Sequence, residues 1–195
     1  LKGFIMKENI YFETIKCEDY EIFNLEYHNK RVAKTIGLNI NLQEYIYPLS
    51  EDLLRCKVIY NDFEIINVEY FTYKKRDISS FKLIFDDKIS YSKKYLNREN
   101  LDKLFSQKND CDEIIIIKNG IVTDTSIANI AIYYENTWIT SKNSLLNGTT
   151  KNRLLEEKFL IEKEISLDML KKASKIALMN AMIGFDIKEN YSFKV

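Results

Sequence analysis

Three groups of residues have types and spacing that could do chemistry, and the first two lie in the stretch 112–150. Asp124 stands among hydroxyl residues in an otherwise apolar segment that predicts buried strands. A buried carboxylate is costly unless a cation or a strong donor meets it, such as a buried arginine or a protonated ring nitrogen of a cofactor. The run 147–150, Asn-Gly-Thr-Thr, lies at a predicted helix start. Such a start either binds an anion such as phosphate or is an ordinary cap.

The third group consists of two adjacent lysines, Lys93 and Lys94, in the polar connection 88–98. This connection separates two predicted lobes, and clefts and functional side chains concentrate at such places. A lysine amine there could bind a carbonyl cofactor such as pyridoxal 5'-phosphate covalently and carry protons. The three groups together indicate a cofactor site.

Composition limits the other classes of function. Lys and Arg total 29 and balance 29 Asp and Glu, so no overall field favours nucleic acid or a membrane surface. No apolar run approaches the roughly 20 residues that span a bilayer. The single histidine, His28, and three cysteines without a CxxC pair argue against a metal centre and a disulfide framework. We therefore expect a cytoplasmic protein with a small-molecule substrate, no metal and no nucleic-acid or membrane partner.

The elements around these groups predict an α+β fold in two lobes, residues 1–90 and 91–195. Helical spacing predicts a helix from Leu25 to Ile36, ended by Gly37. A cap signal at Ser50 predicts that 42–62 is mostly helical. Alternating or continuous apolar runs predict the strands; these are 10–17, 21–24, 63–73, 81–85, 114–117, 137–140, 161–165 and 175–185.

In their order along the chain, these motifs resemble the class IV aminotransferase family, which comprises pyridoxal-phosphate enzymes of fold type IV. The family includes branched-chain and D-amino acid aminotransferases and 4-amino-4-deoxychorismate lyase. The resemblance runs from Phe12 to about Ile187. The matching segments are Phe-Glu-Thr 12–14, His-Asn-Lys-Arg 28–31, Lys-Tyr-Leu-Asn-Arg 94–98, Asp-Glu-Ile 112–114, 122–129, 146–151 and Asn-Ala-Met 180–182.

The resemblance implies a role for nine residues. Without the resemblance, Arg31 would be interpreted as a solvated residue on a helix surface. It makes Lys94 the catalytic lysine that carries the cofactor, with Lys93 as its rival. It makes Asp124 the partner of the pyridine nitrogen. The remaining residues implied to bind the cofactor, mostly at its phosphate, are Arg31, Asn129, Gly148, Thr149, Thr150, Asn180 and Ala181. It also implies a homodimer, and a small N-terminal lobe beside a β-rich C-terminal lobe with helices.

Departures from the family pattern set the alternatives. Asp124 stands where the family usually has Glu, Lys151 replaces the usual Arg, and the first lobe is short. The segments 94–98 and 180–182 favour a lyase that releases pyruvate and forms 4-aminobenzoate for folate synthesis. The alternatives are an aminotransferase for branched-chain or D-amino acids, and a degenerate non-catalytic family member.

Overall fold

A computed structural model describes residues 9–195; residues 1–8, at the start of the predicted first lobe, lie outside the described part. The described chain forms two compact units. The first unit contains the chain up to Thr72 and takes in the later segment Lys93–Asn97, whereas Tyr73–Ser92 and Arg98–Val195 form the second. The units therefore interleave along the sequence, unlike the single division near residue 90 that the sequence predicts.

The first unit is an antiparallel sheet with one long helix. Its elements are β1 (Tyr11–Glu18), β2 (Glu21–Ile22), α1 (Leu25–Ile36), β3 (Leu54–Tyr60) and β4 (Ile65–Thr72). Within the described residues the strand order is β2-β1-β3-β4. Val32 of α1 packs with Tyr11, Ile15 and Val58 in one buried core. Helix α1 has the predicted bounds, because Gly37 adopts a left-handed φ of 77° and ends it.

The prediction of a mostly helical segment over 42–62 is wrong. The segment contains only a short 3-10 turn, Leu42–Glu44, before β3. Ser50 does not cap a helix: its Oγ accepts a hydrogen bond from the Asp52 N–H at 2.9 Å and closes a local turn. In β3 every second residue, beginning with Cys56, is buried, and this two-residue period is that of a strand.

The second unit is built on one large mixed sheet. Its elements are β5 (Ser80–Phe85), α2 (Glu99–Phe105), β6 (Glu113–Lys118), β7 (Ile121–Thr125), β8 (Asn129–Tyr134), β9 (Thr137–Ser141), α3 (Thr149–Glu156), β10 (Ile161–Lys163), α4 (Leu167–Lys172), β11 (Lys175–Asn180), β12 (Gly184–Lys188) and β13 (Ser192–Lys194). Within the described part, the main strand order is β10-β9-β8-β7-β6-β5-β13, with β11 paired to β8 and β12 to β11.

The core of this unit explains its continuous apolar runs. Strand β6 is buried on both faces, because Ile114 to Ile117 are all fully covered. Buried residues of β5, β7, β8 and β11 pack with it. The polar residues of β7 and β8 therefore lie among apolar neighbours.

None of the helices in the described residues is long and apolar enough to cross a bilayer.

Candidate functional site

In the first unit, a buried carboxylate lies between two basic side chains. Glu13 of β1 has no exposed surface, and His28 and Arg31, three residues apart on α1, share the helix face that meets it. His28 Nδ1 lies 2.5 Å from Glu13 Oε2. Arg31 Nε donates to Glu13 Oε1 at 2.8 Å, and its Nη2 donates to Oε2. This two-point ion pair fixes the plane of the guanidinium group.

The protonation states of these groups follow from burial and charge. Burial alone raises the pKa of Glu13, but the Arg31 charge and the hydrogen bond from His28 outweigh it and lower this pKa to about 2. Burial lowers the pKa of His28, which keeps its ring neutral at neutral pH. Since an ionised carboxylate only accepts hydrogen bonds, the ring proton belongs on Nδ1. Nε2 is then a buried acceptor without a hydrogen-bond partner among the described residues.

The two candidate lysines lie beside this network, on a segment that joins the edge of β1. The Phe12 N–H donates to the Lys94 carbonyl at 3.0 Å, and Lys94 Nζ lies 4.4 Å from the centre of the Phe12 ring. Lys93 Nζ instead donates to the Thr35 carbonyl at 2.7 Å, in the last turn of α1. That hydrogen bond suits a cation at a helix C-terminus and gives Lys93 a structural role, while the role of Lys94 as the reactive amine stays a prediction.

In the second unit, Asp124 lies on β7 with 5% of its surface exposed. It faces Asn129 of β8 in the strand register, and Asn129 Nδ2 donates to its Oδ1 at 2.7 Å. The N–H groups of Leu145 and Leu146 donate to Oδ2 at 2.6 and 3.1 Å. Burial raises the Asp124 pKa to about 7, although these three donors and the charge of Lys151 oppose that rise. The carboxylate is thus held in place by uncharged groups.

Position 148 requires glycine because another side chain approaches its backbone closely. The backbone conformation does not require it, since any residue can adopt its φ of −71°. A Cβ at position 148 would lie 2.0 Å from Asn129 Oδ1. Asn129 Nδ2 also donates to the Leu146 carbonyl at 2.8 Å, so Asn129 joins Asp124 to the loop before α3. The absence of a side chain at 148 therefore leaves room for the amide that orients Asp124.

The first turn of α3 contains the two predicted phosphate-binding threonines. Thr149 and Thr150 are both buried. Thr150 Oγ1 has no hydrogen-bond partner in the described part of the chain. A buried hydroxyl without a partner costs free energy, and here it lies where the N–H groups of a helix terminus favour an anion.

Asn180 and Ala181 lie at the turn between β11 and β12. The Asn180 Oδ1 accepts hydrogen bonds from the N–H groups of Met182 and Ile183 at 2.9 and 3.1 Å. Its Nδ2 donates to the Ile127 carbonyl at 3.3 Å. These contacts give Asn180 a structural role in shaping the turn, and the cofactor contact assigned to both residues stays a prediction.

Two features of these clusters are not predicted from the sequence. Glu13 lies in the Phe-Glu-Thr segment, and its place on the same face of β1 as Tyr11 and Ile15 could have indicated burial. Its pairing with Arg31 joins residues 18 apart and has no signal in the sequence. The residue types at 145 and 146 do not indicate that the backbone N–H groups of Leu145 and Leu146 donate hydrogen bonds to Asp124. Arg31 and Lys94 lie in the first unit, whereas Asp124 and the other predicted site residues lie in the second.

Comparisons with known proteins define the class. Residues 90–188 match the family described as amino-transferase class IV, and the chain belongs to this family, whose members depend on pyridoxal phosphate. An uncharacterised Haemophilus influenzae protein is 35% identical over 89% of this chain and 97% of its own length.

Two solved structures agree with that class. A "putative 4-amino-4-deoxychorismate lyase" from Haemophilus somnus 129pt is 36% identical, with a TM-score of 0.84, covering 92% of this chain and 99% of its own. The pyridoxal-phosphate-bound form of a hypothetical aminotransferase from Mycobacterium tuberculosis has a TM-score of 0.81 at 15% identity, covering 95% and 81%. The predicted fold class, the α+β fold of type IV pyridoxal-phosphate enzymes, is confirmed.

The residues in each unit fit the parts of pyridoxal phosphate. Asp124 is a buried acid whose hydrogen-bond donors within the described residues are uncharged, so that a protonated ring nitrogen would give it a charged hydrogen-bond partner. The hydroxyl of Thr150, which has no hydrogen-bond partner in residues 9–195 and lies at a helix N-terminus, suits a phosphate oxygen. In the first unit, Arg31 supplies a guanidinium in fixed orientation and Lys94 supplies a primary amine.

Proposed function

We propose that this chain binds pyridoxal 5'-phosphate through Lys94 and acts as a 4-amino-4-deoxychorismate lyase. The observation that carries the cofactor part is Asp124: this acid is buried in an apolar sheet, is held by three donors, and has no charged group among its hydrogen-bond partners in the described residues. The lyase part is supported by the likeness to the Haemophilus somnus protein of that description at 36% identity. The motif Lys-Tyr-Leu-Asn-Arg at 94–98 supports it as well.

Each residue has a distinct task in this proposal. Lys94 would hold the cofactor through its amine, and with substrate bound the same amine would take the proton from the carbon that bears the substrate nitrogen. Asp124 keeps the ring nitrogen protonated by its opposite charge in a dry site. Arg31 and the start of α3 hold the phosphate. When bound, pyridoxal phosphate supplies the electron withdrawal that makes that carbon acidic.

The reaction that follows is an elimination. Removal of the proton from 4-amino-4-deoxychorismate allows pyruvate to leave, and the ring becomes aromatic as 4-aminobenzoate, the folate precursor. In an aminotransferase the same lysine would return the proton to the cofactor side instead. The two reactions therefore share Lys94 and Asp124 and differ in the fate of the substrate.

The identity of the attachment lysine can be tested with a matched pair of variants. Purified protein incubated with pyridoxal phosphate is treated with borohydride, digested, and mapped by mass spectrometry. We expect the reduced cofactor to be attached to Lys94. Lys93→Ala should still be modified by the cofactor at Lys94, and Lys94→Ala should not be modified. A wild-type protein that takes up no cofactor would instead indicate a non-catalytic family member.

The reaction type is decided by two assays on the same cofactor-loaded protein. Pyruvate release from 4-amino-4-deoxychorismate is measured beside amino transfer from branched-chain and D-amino acids to 2-oxo acids. We expect pyruvate release to dominate. Amino transfer without pyruvate release would replace the lyase assignment with an aminotransferase.

A homodimer and a cytoplasmic setting belong to the same proposal. Strand β4 lies at the edge of its sheet and exposes Ile66 and Phe71, with Phe63 beside it exposed by 77%. Apolar groups of this kind suit contact with a second copy, and light scattering measures the resulting mass.

The cysteines Cys17, Cys56 and Cys111 are buried and free, which agrees with a reducing compartment.

A further inference from the structure

Lys151 is a buried cation whose polar contacts within the described residues lie at the end of β9, in the loop that follows it and on β10. Its side chain is 1% exposed, and an ammonium group in such a place requires full compensation. Its Nζ donates to the Ser141 carbonyl at 2.8 Å and to Ser144 Oγ at 2.9 Å. It also pairs with Glu162 of β10 at 2.8 Å. The amine thus ties the start of α3 to the loop that follows β9.

The same loop provides the backbone donors of Asp124. Leu145 and Leu146 follow Ser144 directly, and their N–H groups donate to Asp124 Oδ2 at 2.6 and 3.1 Å. At its other end, the loop is fixed to β7, because Ser141 Oγ donates to the Val122 carbonyl at 2.5 Å. A path of direct contacts therefore runs from Lys151 through the loop to the Asp124 carboxylate.

Charge acts in the same direction as geometry. Burial raises the pKa of Asp124, and Lys151 is a cation whose charge opposes that rise. Glu162, the partner of Lys151, lies at the edge strand with its side chain 41% exposed, so solvent weakens its effect. The ammonium group of Lys151 thus favours the ionised form of Asp124.

We propose that Lys151 is a positioning residue for Asp124: it fixes the loop 141–146 so that two backbone N–H groups hold the carboxylate toward the cofactor ring nitrogen. This inference rests on the proposed cofactor site. It joins two departures from the family pattern, Asp124 for Glu and Lys151 for Arg, in one connected set of contacts. A shorter acid needs its position set by the surrounding backbone, and Lys151 holds that backbone.

The test compares two lysine variants of the same region. Lys151→Met keeps the approximate volume of the side chain and removes its charge and hydrogen bonds. Lys142→Met removes the charge of an exposed lysine in the same loop. Cofactor affinity is measured by titrating pyridoxal phosphate into cofactor-free protein. We expect Lys151→Met to weaken binding at least about tenfold and Lys142→Met to leave it within about twofold.

A second readout follows Asp124 itself without cofactor. Carbon NMR of protein labelled at the aspartate carboxyl groups gives the Asp124 pKa, with Asp124→Asn identifying its signal. We expect this pKa to rise further in Lys151→Met, to stay as in the wild type in Lys142→Met, and to return toward the wild type in Lys151→Arg. A merely structural role would lower stability without moving the pKa.

A double-mutant cycle shows whether Lys151 acts through Asp124. In an Asp124→Asn background, the loss of affinity caused by Lys151→Met should largely disappear. Equal losses in both backgrounds, or equal effects of Lys151→Met and Lys142→Met, would overturn the inference.

If Lys151→Met does not fold, Ser144→Ala takes its place, since it removes one contact of the Lys151 amine and leaves the charge. We expect a roughly threefold loss of affinity in the same direction, and no change would overturn the inference as well. Failure of the proposed function has a different signature. Wild-type protein would then bind no pyridoxal phosphate, while the carboxyl pKa would still report the effect of Lys151 on Asp124 through the loop and through its charge.

Discussion

Replacing Glu13 with glutamine tests the buried network of the first unit. The substitution keeps the shape of the side chain and removes the charge that Arg31 and His28 share. The Glu13 pKa falls from its usual 4.5 to about 2 in the folded protein. At about 1.4 kcal/mol for each factor of ten, this corresponds to about 3 kcal/mol of stability at pH 7. Loss of one partner from a buried ion pair costs a similar amount, about 3–5 kcal/mol.

The sign of the pH dependence follows from the direction of the pKa change. A carboxyl group whose folded pKa is depressed stabilises the fold above its unfolded pKa, and this contribution is lost as the pH falls toward the folded value. The Glu13 contribution is therefore complete above about pH 5 and decreases to about 2 kcal/mol by pH 3.5. We expect the stability difference between wild type and Glu13→Gln to narrow over this interval.

Urea unfolding of both proteins between pH 3.5 and pH 8 measures this difference. Glu18→Gln is the matched control, because Glu18 lies on the same strand and its ion pair with Lys16 is partly exposed. It should cost no more than about 1 kcal/mol. A Glu13→Gln effect that equals the control, or one that stays constant from pH 8 to pH 3.5, would refute the reasoning.

Two further predictions concern the second unit. Gly148→Ala should destabilise the protein by about 1–3 kcal/mol, because the new Cβ would lie 2.0 Å from Asn129 Oδ1. In an Asn129→Ala background, urea unfolding should show little of this loss of stability. An equal loss in both backgrounds would contradict the proposed clash with Asn129. For Asp124→Asn in cofactor-free protein, the free energy of unfolding relative to wild type should increase by about 4 kcal/mol from pH 4 to pH 8. The reason is that the folded Asp124 pKa is raised from 3.8 to about 7, so the wild type loses stability as the pH rises. A difference that stays constant with pH would contradict this prediction.

Elements with a single clear period were predictable from the sequence. Helix α1 has its predicted bounds because the apolar spacing and the Gly37 terminator agree. The apolar run at 114–117 is fully buried within strand β6. The segment 42–62 was misassigned because Ser50, Glu51 and Asp52 satisfy a local turn as well as they would a helix cap. Local signals decide an element only where the longer period supports them.

The candidate site was predictable in its residue types and not in its contacts. Asp124 was recognised because a carboxylate in an apolar strand is conspicuous, and its burial is found as expected. The roles of Glu13, Gly148 and Lys151 depend on side chains and backbone groups distant in sequence, which a pattern of residue types does not encode. Lys151 appeared in the sequence only as a departure from the family pattern, and the structure gives that departure a set of partners.

The interleaving of the two units has a consequence for synthesis. Strands β1 to β4 emerge from the ribosome first and can pair at once, yet Lys93–Asn97 emerges only after the stretch 73–92 of the second unit. Until then β1 lacks the bridge between Tyr11 and Tyr95 and the hydrogen bond from Phe12 to the Lys94 carbonyl. Since domains generally fold as units in the order of their synthesis, the first unit is completed only when Lys94, the lysine proposed to carry the cofactor, has emerged. Completion of that fold and placement of the lysine are the same event.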